Sequence, residues 1–485
     1  MPDGGVEPAA AECERGEAAS WRPAQAGGVE LLVILDGASE PPRDGRPTSL
    51  ERAATPALDA LCAEGALTRL RTVAPWLEAG SEHAIPALLG WTPPASVDRG
   101  AVEAAARGIA VEDGERACRI DVRHAADGAR ADAAQALPAL AVALPSHRLH
   151  LLGGHRLLAV ARAPLPGLDP LVAFGAALAS APASALASAP ALASASAGER
   201  DVAREGLTLH PWREGIVPPR ILDARTVVIA APGAAAGLAR LLGARVITPA
   251  GATGRPGSDL AAKAAAALGV LRDATAGASN GAAGARCGDG PGPGPGPGPA
   301  SVERIVVHVG APDEAAHEHD AAAKIAAIEA ADRDLIAPLA AALRARAGAV
   351  GSPLDGTASR PVDTLRVCPD HGCDPADGRH DATPVPCVTW SPQSAPRTAQ
   401  AGPRFETDAP RAAQTAPRIA ADAPRTAKTA PRIAADAPRA AQTAPRIAAD
   451  APRAAQTAPR LTERAVAALP LTLPVELATS VRAAA

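Results

Sequence analysis

Ile305-Val306-Val307-His308-Val309 runs, after Gly310-Ala311, into Pro312-Asp313-Glu314-Ala315-Ala316-His317. The apolar run has the length and composition of a buried strand. The segment beyond it offers a carboxylate and an imidazole four residues apart, which is metal-ligand spacing. A helical pattern follows from about Asp320 to Leu343, with Ile325, Ile328, Leu335, Ile336, Leu339 and Leu343 on one face. Two other stretches share this form. Val33-Ile34-Leu35-Asp36-Gly37 ends a strand on a carboxylate. Cys368-Pro369-Asp370-His371-Gly372 ends another on an Asp-His pair, with His380 nine residues beyond His371. In open α/β sheets, sites are built outside the carboxyl ends of the strands.

The bulk composition narrows the function. The 485 residues suffice for two or three domains. A net charge of −4 gives no basic field for nucleic acid. Aromatic residues are 1% of the chain, with no Tyr and two Phe, which argues against base stacking. The core is therefore built from Ala, Leu, Val and Ile, and the Ala/Pro/Arg/Gly excess reads as a biased genome. The seven Cys, at 13, 62, 118, 287, 368, 373 and 387, are odd in number and scattered, unlike a disulfide framework. Cys368 and Cys373 flank Asp370-His371, but without a second Cys pair a zinc finger is a poor reading. No basic start leads into an apolar core. No uninterrupted run reaches the ~18–20 apolar residues of a membrane span. A soluble, cytoplasmic protein without membrane or nucleic-acid partners is expected.

Along the chain, residues 1–28 are polar and aperiodic and are expected to be disordered. Val29 to Leu35 reads as the first strand, and Thr55-Pro56 opens a helix with Thr55 as N-cap. Gly80-Ser81 stands at the mouth of a short helix from Glu82 to Leu89, where free N–H groups favour an oxyanion or phosphate. On spacing alone, Ser81 reads as an ordinary N-cap. Glu103 to Ala106 suggests a short helix, and Leu149–Leu152 and Leu157–Val160 suggest strands. Residues 171–198 are an Ala/Ser/Pro run, read as an expanded loop. Strands are expected at Thr226–Ala231, Arg245–Thr248, Leu365–Val367 and Val385–Trp390. Helices are expected at Gly233–Leu242 and Leu260–Leu271. Residues 273–300 end in alternating Gly-Pro and read as a loop. Residues 394–460 carry Pro-Arg every seven residues, from Arg397 to Arg460. A proline in every heptad, at about 3 kcal/mol each, excludes a coiled coil. The repeat is expected to be disordered or polyproline-like.

The motifs, in order, resemble the cofactor-independent phosphoglycerate mutases of the archaeal-type branch, within the alkaline phosphatase superfamily. The resembling stretches are Leu35-Asp36-Gly37, Gly80-Ser81-Glu82, Asp98-Arg99-Gly100, Gly154-His155-Arg156, Gly251 to Gly254, Pro312 to His317, Ala323 to Glu329 and Pro369-Asp370-His371, with a weaker match at Leu461 to Leu477. The resemblance implies an α/β fold, with a mostly parallel sheet flanked by helices, a smaller inserted α+β domain and long disordered insertions. It divides the chain into catalytic-domain segments at 29–97, 216–393 and 461–485. The insertion at 98–215 would close over the substrate, and the repeat would interrupt the catalytic domain near its end.

The resemblance also implies a chemistry. Ser81 would be the nucleophile. One divalent metal would be held by Asp36, Asp370, His371 and the Ser81 oxygen, and a second by Asp313, His317 and His380. These ligand types suit Mn²⁺, Mg²⁺ or Zn²⁺ without choosing among them, and 2,3-bisphosphoglycerate would not be needed. Arg99, His155 and Arg156 would grip a small phosphorylated substrate. Glu314 and His319 are expected to be exposed or to sit behind the ligands. The family's usual Asp-Thr-Ala-His after the nucleophile is Glu82-His83-Ala84-Ile85 in this chain. A phosphomonoesterase, a homoserine-kinase-like enzyme and a non-catalytic scaffold therefore stand beside the mutase as expectations. The oligomeric state is open.

Overall fold

The computed structural model describes residues 28–43, 45–162, 206–212, 214–283, 302–349, 363–392 and 460–474. Its strands are β1 (Glu30–Leu35), β2 (Ala66–Leu70), β3 (Arg116–His124), β4 (Arg148–Gly153), β5 (Arg156–Ala161), β6 (Leu207–Pro211), β7 (Thr226–Ile229), β8 (Arg245–Ile247), β9 (Arg304–Val309), β10 (Thr364–Pro369), β11 (Gly372–Asp374), β12 (Arg379–Asp381), β13 (Val385–Trp390) and β14 (Leu471–Thr472). Its helices are α1 (Ser49–Arg52), α2 (Pro56–Glu64), α3 (Ser81–Leu88), α4 (Arg99–Arg107), α5 (Ala133–Ala143), α6 (Ala234–Leu242), α7 (Leu260–Ala283), α8 (Ala311–His317), α9 (Ala321–Ala331), α10 (Ala337–Ala349) and α11 (Glu463–Val466).

Eight strands form the main sheet in the order β14-β2-β13-β10-β1-β9-β7-β8. β1 pairs in parallel with both β10 and β9, and β9, β7 and β8 continue in parallel. Every residue of β1 is buried, as expected of a strand covered on both faces. Leu31, Val33 and Leu35 face a cluster with Leu58, Leu260, Ile328 and Leu339. Leu32 and Ile34 face the other side, against Ile85, Val102 and Leu238. Each fully buried Leu or Ile contributes about 1.5–3 kcal/mol. At the far end of the strands from the site, buried Glu30 lies 3.2 Å from Arg304 and 2.7 Å from Arg366. A second, four-stranded sheet has the order β4-β5-β3-β6, with α5 packed on it through Ala136 and Leu140.

Several elements differ from expectation. The single helix expected from Asp320 to Leu343 is α9 and α10 joined by a π-turn at Asp332–Ile336. There, the Asp332 carboxylate accepts hydrogen bonds from the Ala57 and Leu58 N–H groups, at 3.1 and 2.7 Å, and so caps α2. Thr55 makes no capping bond and donates instead to Asp59. The segment 273–283, expected to begin the loop at 273–300, continues α7, since a run rich in alanine favours helix. Arg460, assigned to the disordered repeat, is fixed by Asp59 at 3.1 Å and by the carbonyls of Glu51 and Ala53 at 2.9 and 2.6 Å. The expectations for 1–27, 171–198, 284–300 and 394–459 lie outside the described residues.

Candidate active site

The site stands where the three central parallel strands end. Asp36 follows β1, and its N–H donates to the Val309 carbonyl at 3.0 Å. Gly37 has φ +59, and a Cβ built there would lie 2.4 Å from Asp313 Oδ1. Only glycine lets the turn after β1 approach that carboxylate so closely. The Gly37 N–H donates to Asp370 Oδ1 at 3.0 Å, tying the end of β1 to the end of β10.

Asp36, Asp370, His371 and Ser81 converge. Ser81, the first residue of α3, donates from Oγ to Asp36 Oδ1 at 3.1 Å and lies 3.2 Å from His371 Nε2. His371 Nδ1 is 3.1 Å from the Gly372 carbonyl, so Nδ1–H donates there and Nε2 points at the carboxylates. Asp370 Oδ2 is buried without a hydrogen-bond partner. Burial, and then Asp36, push the Asp370 carboxyl up to about 6. Burial and Asp313 push Asp36 upward as well, but contacts with His308 and His371 outweigh them and hold it below the usual carboxylate range.

Asp313, His317 and His380 form a second cluster. The segment expected only as a post-strand ligand pair is helix α8, which stacks Asp313 and His317 one turn apart with Oδ2 and Nε2 separated by 3.3 Å. His380, on β12, places Nε2 3.4 Å from Asp313 Oδ1 and 2.9 Å from His317 Nε2. Burial pushes Asp313 upward, but the imidazoles of His317 and His380 beside it hold it well below its ordinary value. Ligand atoms of Asp36, Asp370 and His371 all lie within 4.8 Å of one another, as do those of Asp313, His317, Cys373 and His380. Crowded carboxylates, with buried oxygens on Asp370 and Asp313 that make no hydrogen bond, fit a divalent cation in each cluster.

Above these clusters is a cleft of about 410 Å³. Asp36, Ser81, Asp313, His317 and His380 line one side, while Asp370 and His371 are fully buried behind Ser81. Arg99, His155 and Arg156 also line the cleft, so all the expected site residues meet in one region. Arg99 is already engaged by Glu82 at 3.0 Å and Glu103 at 3.7 Å. Arg156 lies 3.7 Å from Glu314. Burial pushes His155 down to about 4, so at neutral pH it offers hydrogen bonds rather than charge. His319 is exposed at φ +58.

The sequence reading missed other members of the wall: Arg119, Arg123, Arg130 and Arg255. It also missed His308, whose Nε2 lies 3.1 Å from Asp36 Oδ2. The signal for His308 was a lone imidazole in a run of Val. In the sequence, Lys324 stands out only as part of the Ala323 to Glu329 stretch. It is fully buried, and its Nζ donates to the carbonyls of Ser39 and Cys373 at 3.2 and 2.6 Å and to Glu40 at 3.1 Å, clamping the loops after β1 and β10 together.

A family model described as 2,3-bisphosphoglycerate-independent phosphoglycerate mutase matches residues 62–135. The Archaeoglobus fulgidus 2,3-bisphosphoglycerate-independent phosphoglycerate mutase 1 is 28% identical over 354 residues, covering 64% of this chain and 79% of that relative. The Methanopyrus kandleri 2,3-bisphosphoglycerate-independent phosphoglycerate mutase is 27% identical over 413 residues, covering 74% and 87%. A solved Pyrococcus horikoshii protein superposes with a TM-score of 0.51 at 20% identity over 75% of this chain and 88% of its own, a likeness of fold. Over roughly two thirds to three quarters of its length, the chain is thus similar to 2,3-bisphosphoglycerate-independent phosphoglycerate mutases.

Proposed function

We propose that the protein is a metal-dependent phosphoglycerate mutase that interconverts 3-phosphoglycerate and 2-phosphoglycerate through a phosphoserine on Ser81. The observation that carries this reading is the Ser81 hydroxyl. It opens α3, lies between Asp36 Oδ1 and His371 Nε2 at 3.1 and 3.2 Å, and faces a cleft lined by six arginines. Asp36, Ser81, Asp370 and His371 would hold one divalent cation, and Asp313, His317 and His380 the other. When bound, the cations neutralise phosphate oxygens and make the serine hydroxyl more acidic. Asp36 stays ionised, so it orients the hydroxyl rather than storing its proton. The Oγ–P bond forms as the bond between phosphorus and the 3-oxygen breaks, the serine proton passing to the 3-oxygen. Glycerate, gripped by Arg156 and His155 with the other wall arginines, turns in the cleft, and its 2-oxygen takes the phosphoryl group back. No proton is consumed over the cycle. Arginine suits both carboxylate and phosphate because its planar fork binds them in bidentate fashion. This reading carries with it the cytoplasmic setting expected above. Among the described residues, no helix is long and apolar enough to cross a membrane.

The test is a Mn²⁺-supplemented assay of 3-phosphoglycerate that follows 2-phosphoglycerate and free phosphate together, with Ser81→Ala as control. Formation of 2-phosphoglycerate without phosphate, lost in the variant, is expected. Phosphate release alone would make the protein a phosphomonoesterase, and silence in both channels would overturn the reading.

A further inference from the structure

Cys373 is fully buried on β11, and the β11–β12 register sets it directly opposite His380. Residues so paired have Cβ atoms about 4.5–5.5 Å apart on one face. The hairpin therefore builds a Cys/His pair, and α8 brings Asp313 and His317 to it. Sulfur, carboxylate and both imidazoles lie within 4.8 Å of one another. The backbone beneath the thiol is fixed. The Cys373 N–H donates to the Ser39 carbonyl at 2.8 Å, and its own carbonyl accepts from Lys324 Nζ at 2.6 Å.

Two further observations point to a cation at this place. Asp313, only 9% exposed, keeps Oδ1 without a hydrogen-bond partner. The Nε2 atoms of His317 and His380 face each other at 2.9 Å, while His380 Nδ1 is 3.1 Å from the Ala79 carbonyl. Nδ1–H donates there, which leaves the Nε2 lone pair of His380 aimed into the cluster. The other cluster offers only oxygens and one imidazole.

We infer that Cys373 is a fourth ligand of the Asp313/His317/His380 site and makes it select a thiophilic, zinc-class divalent cation, while the Asp36/Asp370/His371 site takes a harder manganese- or magnesium-class ion. This rests on the reading of both clusters as metal sites. A set of one thiolate, two imidazoles and one carboxylate is a tetrahedral zinc-type set, and sulfur shifts preference away from hard cations. On binding, the metal–sulfur bond replaces the S–H bond, and the proton goes to solvent.

The experiment titrates chelator-stripped full-length protein, wild type and Cys373→Ser, with Co²⁺. Bound cobalt is counted by elemental analysis, and the near-ultraviolet sulfur-to-cobalt charge-transfer band is followed. Wild type should show the band and lose it on adding zinc. The variant should lack the band and bind zinc about 10–100-fold more weakly, with little change for manganese. Mapping of iodoacetamide labelling in wild type, with and without zinc, reads the same contact if the variant fails to fold, and zinc should protect Cys373. Cobalt bound without the band, or zinc bound without protection of Cys373, would overturn the inference and leave the metal reading standing. No cobalt or zinc bound at all would overturn both.

Discussion

The segment after the Pro-Arg repeat is stitched to the loop that follows Asp36, and Glu463 is the main stitch. Its carboxylate accepts hydrogen bonds from Ser39 Oγ at 2.9 Å, the Glu40 N–H at 3.0 Å and Thr48 Oγ1 at 2.8 Å. The residue is 4% exposed, and burial raises its carboxyl above the ordinary value. Glu463→Ala removes all three acceptor contacts at once. A buried donor left unmade costs about 1–3 kcal/mol. The two hydroxyls can turn toward other acceptors, but the backbone N–H of Glu40 cannot. A net loss of about 3–4 kcal/mol is therefore expected, or about 5–6 °C in melting temperature at ~2.1 cal/mol/K per residue over the roughly 300 described residues. Thermal unfolding of the full chain, followed by tryptophan fluorescence, checks the value. Glu463→Gln, which keeps one carbonyl acceptor, should lose roughly half as much. The loop held by Glu463 begins three residues after Asp36, so the alanine variant should also bind metal more weakly. A fall of under about 2 °C, with metal affinity unchanged, would refute the reasoning. The repeat would then join the folded chain to a segment that does not support it.

Two other perturbations have definite signs. Lys263 is fully buried, with Nζ donating to the His308 carbonyl at 2.7 Å, and burial pushes its amine from 10.5 down to about 8. Between those values the unfolded chain holds the proton that the folded chain has lost. Stability should therefore rise with pH across that window, and the penalty of about 3 kcal/mol is fully present below pH ~8. The stability difference between wild type and Lys263→Met, measured by denaturant unfolding at both ends of the window, should move in favour of wild type as pH rises; movement the other way would contradict the assignment. Chelation should lower the melting temperature, and restoring metal at a hundred times its dissociation constant should return about 2.7 kcal/mol per site. Asp313→Ala should forfeit the part belonging to its own site, which calorimetry with a single added metal reads directly.

The ends of β1, β9 and β10 were legible because parallel strands buried on both faces read as unbroken apolar runs, and a polar residue at such an end stands out. The strand β3 was not. Its sequence, Arg116-Ala-Cys-Arg-Ile-Asp-Val-Arg-His124, puts charges where a core strand would carry Val or Leu. Three of them, Arg119, Asp121 and Arg123, line the cleft. Arg119 and Asp121 are nonetheless buried, because they satisfy each other at 2.8 Å and Arg119 also reaches Glu103 at 3.1 Å. The strand is thus hidden from a hydrophobicity reading by the residues that make it useful. The pairing of Cys373 with His380 was invisible for a different reason. Nothing in the spacing of that cysteine from Asp370 and His371 shows that a turn at Asp377-Gly378 folds β12 back and sets His380 across from it, since that pairing is a matter of register. Lys263 and Lys324, on α7 and α9, are fully buried, and nothing in the spacing of their helices marks them as such. Departures from local pattern fall where a site forces them. In this chain, the cleft-lining charges of β3 are therefore where substitution should change binding and turnover, whereas the two buried lysines should change stability first.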